Sequence, residues 1–404
     1  MRGLGILLLL ALASPAAAQD TTVTPWRREV LNSSALNEQR VISVATPEGY
    51  RSGSSRYPVL VILDADDRAQ FNLALANVAF LANRGAIPKL IVVGIHNGRD
   101  RTHDLTPVAE AANAQRFPTA GGAARFADFI VDEVMPFVRS KYRTLPSTIL
   151  AGHSFGGLVA LDVAAKRPGS FVGIIAMSPS LWWNQSGGVI AYSDAIAKAG
   201  KPQRLFVTSG GREGDIDRPT STFSQRLDSL HPALTAFGHR RYPDDSHGMT
   251  PAPSLVDGLR FVFEPMSVAN LPIEALGPGS DSAAVVIAVN ESRRRYASGA
   301  RYFGFDERLP EMELNQLGYG VLQLLKNPSL ALWVFAENVQ LYPESANVYD
   351  SFADGLLAAG DTTAAIAQFK RAIEVGTRNK QPVLPSMVKL KALEAGRAEK
   401  PSRE

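Results

Sequence analysis

Thr148-Ile149-Leu150-Ala151-Gly152-His153-Ser154-Phe155-Gly156-Gly157-Leu158 decides how this chain is built. Residues 148–151 form a short apolar run that reads as a strand. Residues 158–166 are rich in alanine and leucine at helical spacing. Between them lies Gly-x-Ser-x-Gly, residues 152–156. A turn that tight forces its serine into a strained backbone conformation, and the glycines let neighbouring backbone approach closely. The spacing predicts that Ser154 stands exposed at the carboxyl edge of a sheet. The five-residue pattern is common in glycine-rich chains, so the flanking strand and helix carry the weight.

Working outward, residues 30–264 alternate between strand and helix patterns. Residues 41–45 read as an early strand. Residues 58–63 and 90–95 are continuous β-branched and leucine runs, as expected of strands buried on both faces. Residues 126–138 carry apolar residues at helical spacing. Further strands are expected at 173–177, 204–209 and 239–242. This alternation predicts a mostly parallel sheet covered on both sides, the α/β-hydrolase fold.

The chain has 404 residues, too many for one ordinary core, so two domains are expected. Its composition, 45% hydrophobic and 20% charged, is that of a globular protein. A net charge of +3, spread along the chain, argues against nucleic acid as a partner. Arg2, an apolar run over residues 4–12 and Ala16-Ala17-Ala18 predict a signal peptide over residues 1–18 and export to the periplasm or beyond the cell. No later stretch is long enough to span a membrane. There are no cysteines, which excludes thiol nucleophiles and cysteine metal sites. No metal or organic cofactor is implied.

Beyond the domain expected at 30–265, periodicity fades. Gly277-Pro278-Gly279-Ser280 and Arg293-Arg294-Arg295 predict a linker region over 266–309. From 310 to 380 consecutive helices are expected. Tyr342-Pro343, Gly360-Asp361, Ala364-Ala365-Ile366 and Phe369 give this small all-α domain a tetratricopeptide-like look. About one and a half repeats cannot bury their own apolar face, so the unit should dock on the first domain or on a second subunit. Residues 381–404 are polar and basic and are expected to be disordered.

A serine hydroxyl needs a base, and in this fold the chain order is serine, acid, histidine. Of the six histidines, His96 and His103 precede the serine, His153 lies inside the turn and is expected to point elsewhere, and His231 and His239 lie near a helix end and a strand. His247, in Asp244-Asp245-Ser246-His247-Gly248, stands where the base belongs. The acid should follow strand 204–209, where Glu213, Asp215 and Asp217 are the candidates. Glu213, the earliest, is the first choice. The backbone N–H groups of Phe155 and Asp66 are expected to form the oxyanion hole. Trp182 and Trp183 either wall the substrate site or close the core. The arginines of the 98–107 loop either bind an acidic substrate group or form structural ion pairs.

Leu63-Asp64-Ala65-Asp66, Asp100-Arg101-Thr102, Asp104-Leu105-Thr106-Pro107, the Ser154 turn, Ser178-Pro179-Ser180-Leu181-Trp182-Trp183 and His247-Gly248 together resemble one family. It is the "Putative esterase" family of α/β-hydrolases, which includes siderophore esterases such as enterobactin esterase. Ala65 stands where a glycine is expected. The resemblance implies hydrolysis of a small-molecule carboxylic ester through Ser154 and His247. An acyltransferase using the same nucleophile is the alternative within the enzymes. A non-catalytic interaction protein on a vestigial hydrolase fold is the alternative outside them.

Overall fold

The computed structural model describes residues 26–51, 54–201, 203–230, 236–266, 276–277 and 279–398. The signal-peptide expectation falls outside them. Eight strands form one sheet: β1 (Arg27–Ser33), β2 (Glu38–Ala45), β3 (Tyr57–Ile62), β4 (Ile91–Ile95), β5 (Thr144–His153), β6 (Gly173–Met177), β7 (Arg204–Gly210) and β8 (Ala236–Tyr242). Their order is β1-β2-β4-β3-β5-β6-β7-β8. β1 and β2 pair antiparallel, as do β2 and β4, and every other pairing is parallel. The expected α/β-hydrolase sheet is therefore present. β1 was not anticipated, because Arg27-Arg28-Glu29 interrupts the apolar pattern on an edge strand exposed along much of its length.

The central strands are buried on both faces, and their side chains alternate between two cores. Val59, Val61, Leu150, Ile174, Ala176, Leu205 and Val207 point into one. Leu60, Ile62, Ile149, Ala151, Ile175, Met177 and Phe206 point into the other. A period of two on a doubly covered sheet gives near-continuous apolar runs, which is why these strands were readable.

Among the described residues, nine helices accompany the sheet: α1 (Arg68–Ala82), α2 (Arg101–Leu105), α3 (Ala111–Arg116), α4 (Ala123–Asp128), α5 (Met135–Lys141), α6 (Phe155–Lys166), α7 (Trp183–Ala199), α8 (Asp217–Ser229) and α9 (Pro251–Val262). A π-turn over Phe129–Val134 joins α4 to α5. The first core takes in Phe126 and Phe129 from this stretch, Leu158 of α6, Val189 of α7 and Phe223 of α8. The second takes in Phe71 of α1 and Leu259 of α9.

The remaining helices are α10 (Ser282–Phe303), α11 (Glu311–Tyr319), α12 (Pro328–Leu341), α13 (Ala346–Ala358), α14 (Thr362–Arg378) and α15 (Leu384–Ala398). Two expectations are corrected here. The stretch read as a linker contains the 22-residue α10. Each arginine of its triplet has an acidic partner: Arg293 pairs with Glu337, Arg294 with Glu291 and Arg295 with Glu264. The stretch read as a disordered tail contains α15, anchored by Lys389 to Asp350 and Asp354 at 2.6 and 2.8 Å and by Ser386 to Asp350 at 2.6 Å.

The helical region docks within the chain. Val285, Val289, Phe303, Leu314, Leu317, Val334 and Phe335 belong to the same core as Phe263 and the second face of the sheet. Two hydrogen bonds tie the end of α10 to the sheet: Ser147 Oγ donates to the Phe303 carbonyl, and the Tyr302 hydroxyl donates to the Val172 carbonyl. Phe303 is fully buried against Phe263. Phe303→Ala should therefore destabilise the whole chain by about 3–5 kcal/mol. Urea unfolding followed by the fluorescence of Trp182 and Trp183, which pack on the sheet's first core, will read this. A transition unchanged from wild type would show that α10 is energetically separate.

Candidate active site

The serine turn is built as expected. Ser154 has φ 60° and ψ −118°, outside the regions a non-glycine residue occupies freely. Gly152 makes this possible, because a Cβ there would lie 2.3 Å from the Gly156 carbonyl oxygen. Ser154 N–H donates to the Met177 carbonyl at 3.0 Å, and its own carbonyl accepts from Leu158 and Ser180. The backbone is thus fixed on both sides while the hydroxyl is left at the sheet edge, 3.3 Å from the Ser180 hydroxyl. Two more positive-φ residues end neighbouring strands: Asp64 after β3 and Ser178 after β6, at 60° and 43°. Three strained residues side by side at one sheet edge mark a functional site.

His247 and Glu213 come together at that edge. His247 Nδ1 lies 3.1 Å from Glu213 Oε1. Glu213 is fixed by Gly210 N–H at 2.6 Å on its other oxygen and by the Thr250 hydroxyl at 3.4 Å. Its side chain has no solvent exposure. Burial pushes its pKa up, but hydrogen bonds from His247, Ser178 and Gly210 outweigh that and hold it below 4.5. The carboxylate is ionised and aimed at the imidazole. Asp217 faces away, accepting from Ser209 at 2.7 Å and from Arg241 at 2.9 Å. Asp215 stays exposed. Among the three candidates, Glu213 is the one joined to His247.

The other described histidines sit elsewhere, with one exception. His96 bonds Ser43 and Asp66, His103 bonds the Thr119 carbonyl, and His239 lies on β8. His231 lies outside the described residues. The exception is His153, whose ring stacks on His247 at 4.3 Å between centroids. Sequence reasoning had it pointing away from the site. Only the stacked geometry reveals the contact, since the position before the serine carries no side-chain requirement in the turn.

Phe155 opens α6, so its N–H is one of the helix-start donors without an intrahelical partner. Asp66 lies in the turn after β3, as expected. Its carboxylate accepts from Asn97 N–H at 2.7 Å and meets His96 at 3.1 Å. Arg101 proves to be a structural partner. It grips Asp64 through two hydrogen bonds, at 2.6 and 2.9 Å, and Asn97 Nδ2 adds a third at 2.6 Å. This clamp holds the strained turn; Asp64 was read from sequence only as part of a motif, and Asn97 not at all. Arg40 and Asp104 form a buried pair behind it.

The tryptophans divide. Trp183 is 3% exposed and belongs to the core, where it packs on Phe155 and Phe117. Trp182 is partly exposed and packs beside Phe155 and Phe117, with Arg116 over its ring at 5.8 Å. It borders the residue next to the nucleophile.

Against this geometry, residues 33–233 match the family described as "Putative esterase". The stretch is an esterase-family domain. Curated relatives agree: a siderophore triacetylfusarinine C esterase of Aspergillus fumigatus is 34% identical over 164 residues, 36% of this chain and 53% of the relative. A siderophore enterobactin esterase of Emericella nidulans is 30% identical over 198 residues, 40% of this chain and 65% of the relative. The chain thus spans between half and two thirds of these relatives. Among solved structures, an IroE-like serine hydrolase from Shewanella oneidensis is similar with TM-score 0.59 and 28% identity, over 73% of this chain and 93% of that one. An uncharacterised protein from Capnocytophaga ochracea, 16% identical, shares the fold over 92% of this chain and 99% of its own, with TM-score 0.54.

Burial of His153 in the esterase domain has a measurable consequence. Desolvation, aided by the charge of His247, lowers its pKa from 6.5 to about 4. A depressed histidine stabilises the fold fully above its unfolded value, and the stabilisation is lost as pH falls towards the folded value. Stability should therefore drop between pH 6.5 and about 4, by roughly 3 kcal/mol from this residue. Glu213 acts lower, losing its contribution as pH falls through its depressed value. His153→Phe should flatten the upper part of the slope. Urea midpoints at pH 7, 5.5 and 4 will test this, and equal slopes in both proteins would refute it.

Proposed function

We propose that this protein is an exported serine esterase in which Ser154, His247 and Glu213 act as a catalytic triad. The observation that carries the reading is the partly buried Glu213–His247 hydrogen bond at the edge where the strained Ser154 is presented, within an esterase-family domain. His247 takes the Ser154 hydroxyl proton as the oxygen attacks the ester carbonyl. Glu213 holds the imidazole in the required tautomer and balances its positive charge. The N–H groups of Phe155 and Asp66 receive the oxyanion. Collapse expels the alcohol, protonated by His247, and leaves an acyl-enzyme. Water activated by the same base then frees the acid and restores Ser154.

A siderophore ester is the substrate class the relatives' names support. Related proteins carry the names siderophore triacetylfusarinine C esterase and siderophore enterobactin esterase. The aromatic surface of Trp182, Phe117 and Phe155 beside the nucleophile suits a bulky, unsaturated acyl group. Export rests on the sequence of residues 1–18. The tetratricopeptide reading of the C-terminal helices is carried by the small residues between α13 and α14.

Labelling with a fluorophosphonate should mark wild type on Ser154 and fail in Ser154→Ala. Glu213→Gln should fold and bind but lower kcat by about a thousandfold or more. Turnover of trilactone siderophores should exceed that of short p-nitrophenyl esters. Absence of both labelling and ester turnover in folded wild type would overturn the esterase. Turnover of simple esters alone would remove the siderophore.

A further inference from the structure

His153 fills the variable position of the serine turn, one peptide bond from the nucleophile. Its ring lies against His247 at 4.3 Å, tilted by 35°. His153 thus bears on the ring of the base, while Glu213 holds the same ring at Nδ1. We propose that His153 is a positioning residue: a neutral plate that keeps the His247 imidazole aligned between Glu213 and Ser154. The inference rests on the roles given above to Ser154 and His247.

Two observations favour this over simple packing. His153 Nε2 is buried without a hydrogen-bond partner among the described residues. With no acceptor to take a proton from that nitrogen, the ring is held in its neutral form. The second observation is charge. During the reaction His247 becomes positive, and a second positive ring stacked on it would oppose that step. Glu213, from the loop after β7, and Asp64, from the end of β3, both favour a charged His153, and Asp64 is itself paired with Arg101. Burial and His247 outweigh them, so the imidazole stays neutral. The one positive charge formed therefore resides on the base.

The test uses the full chain with His153→Ala, His153→Gln and His153→Phe, each checked by thermal unfolding. His153→Ala and His153→Gln should lower kcat by about 10- to 100-fold with KM changed less than about twofold, and His153→Phe should recover most of it. A second readout does not need turnover. The low-field proton resonance of His247 Nδ1–H, held by Glu213, should be sharp in wild type and His153→Phe. It should be broadened or lost in the other two. If His153→Ala fails to fold, the glutamine and phenylalanine variants decide the matter. Unchanged kcat with an intact resonance in His153→Gln would overturn the proposal, and so would an effect confined to KM. Inactive wild type with the resonance behaving as stated would instead overturn the esterase reading and leave the positioning contact standing.

Discussion

Everything at the site depends on one backbone conformation, the positive φ of Ser154. A serine in that region is held there only by its surroundings. Here the surroundings are the Met177 carbonyl on one side, the Leu158 and Ser180 N–H groups on the other, and the bare Gly152 beneath. The parallel pairing of β5 with β3 and β6 supplies the frame. The sheet therefore does more than bury apolar surface. It brings the ends of neighbouring strands to one edge, where Asp64, Ser154 and Ser178 adopt similar strained geometry. Loops after β7 and β8 then deliver Glu213 and His247 to the same edge.

The supporting contacts form a graded set. Asp64 is gripped by Arg101 and Asn97, which stabilise the turn after β3. Glu213 is gripped by Gly210 and Thr250, and Thr250 accepts from the Ser178 hydroxyl. Strain at two strand ends is thus held through charged or hydroxyl side chains from other loops. Such an arrangement keeps reacting groups in place without relying on the reacting groups themselves.

Much of this was legible in the sequence, for identifiable reasons. Central strands buried on both faces leave long apolar runs, so seven of the eight strands were anticipated, with differences at their ends. Ser154 and His247 were readable because chain order and turn spacing restrict where they can lie. What escaped was information that exists only between distant elements. α10 looked irregular because its arginines pair with Glu264 and Glu337, residues that no local pattern connects. α15 looked like a tail because its cation meets aspartates 35 and 39 positions away. Trp182 and Trp183 share one aromatic cluster with Phe117 and Phe155, but only Trp183 is buried, and adjacency in sequence does not show which. His153 was set aside because a turn motif says nothing about what the side chain before its serine touches.

The sharing of one core between the sheet and the C-terminal helices has a consequence for how the protein is made. Synthesis runs from the N-terminus, and the first face of the sheet can close once α8 has emerged. The second face cannot, because Phe303, Val334 and Phe335 complete it. At about 5–20 residues per second, several seconds separate the emergence of Phe263 from that of Phe335. During that interval the nascent sheet presents an open apolar face. The chain is thus obliged to fold late, and a shielding chaperone would meet it on this face rather than at the serine edge.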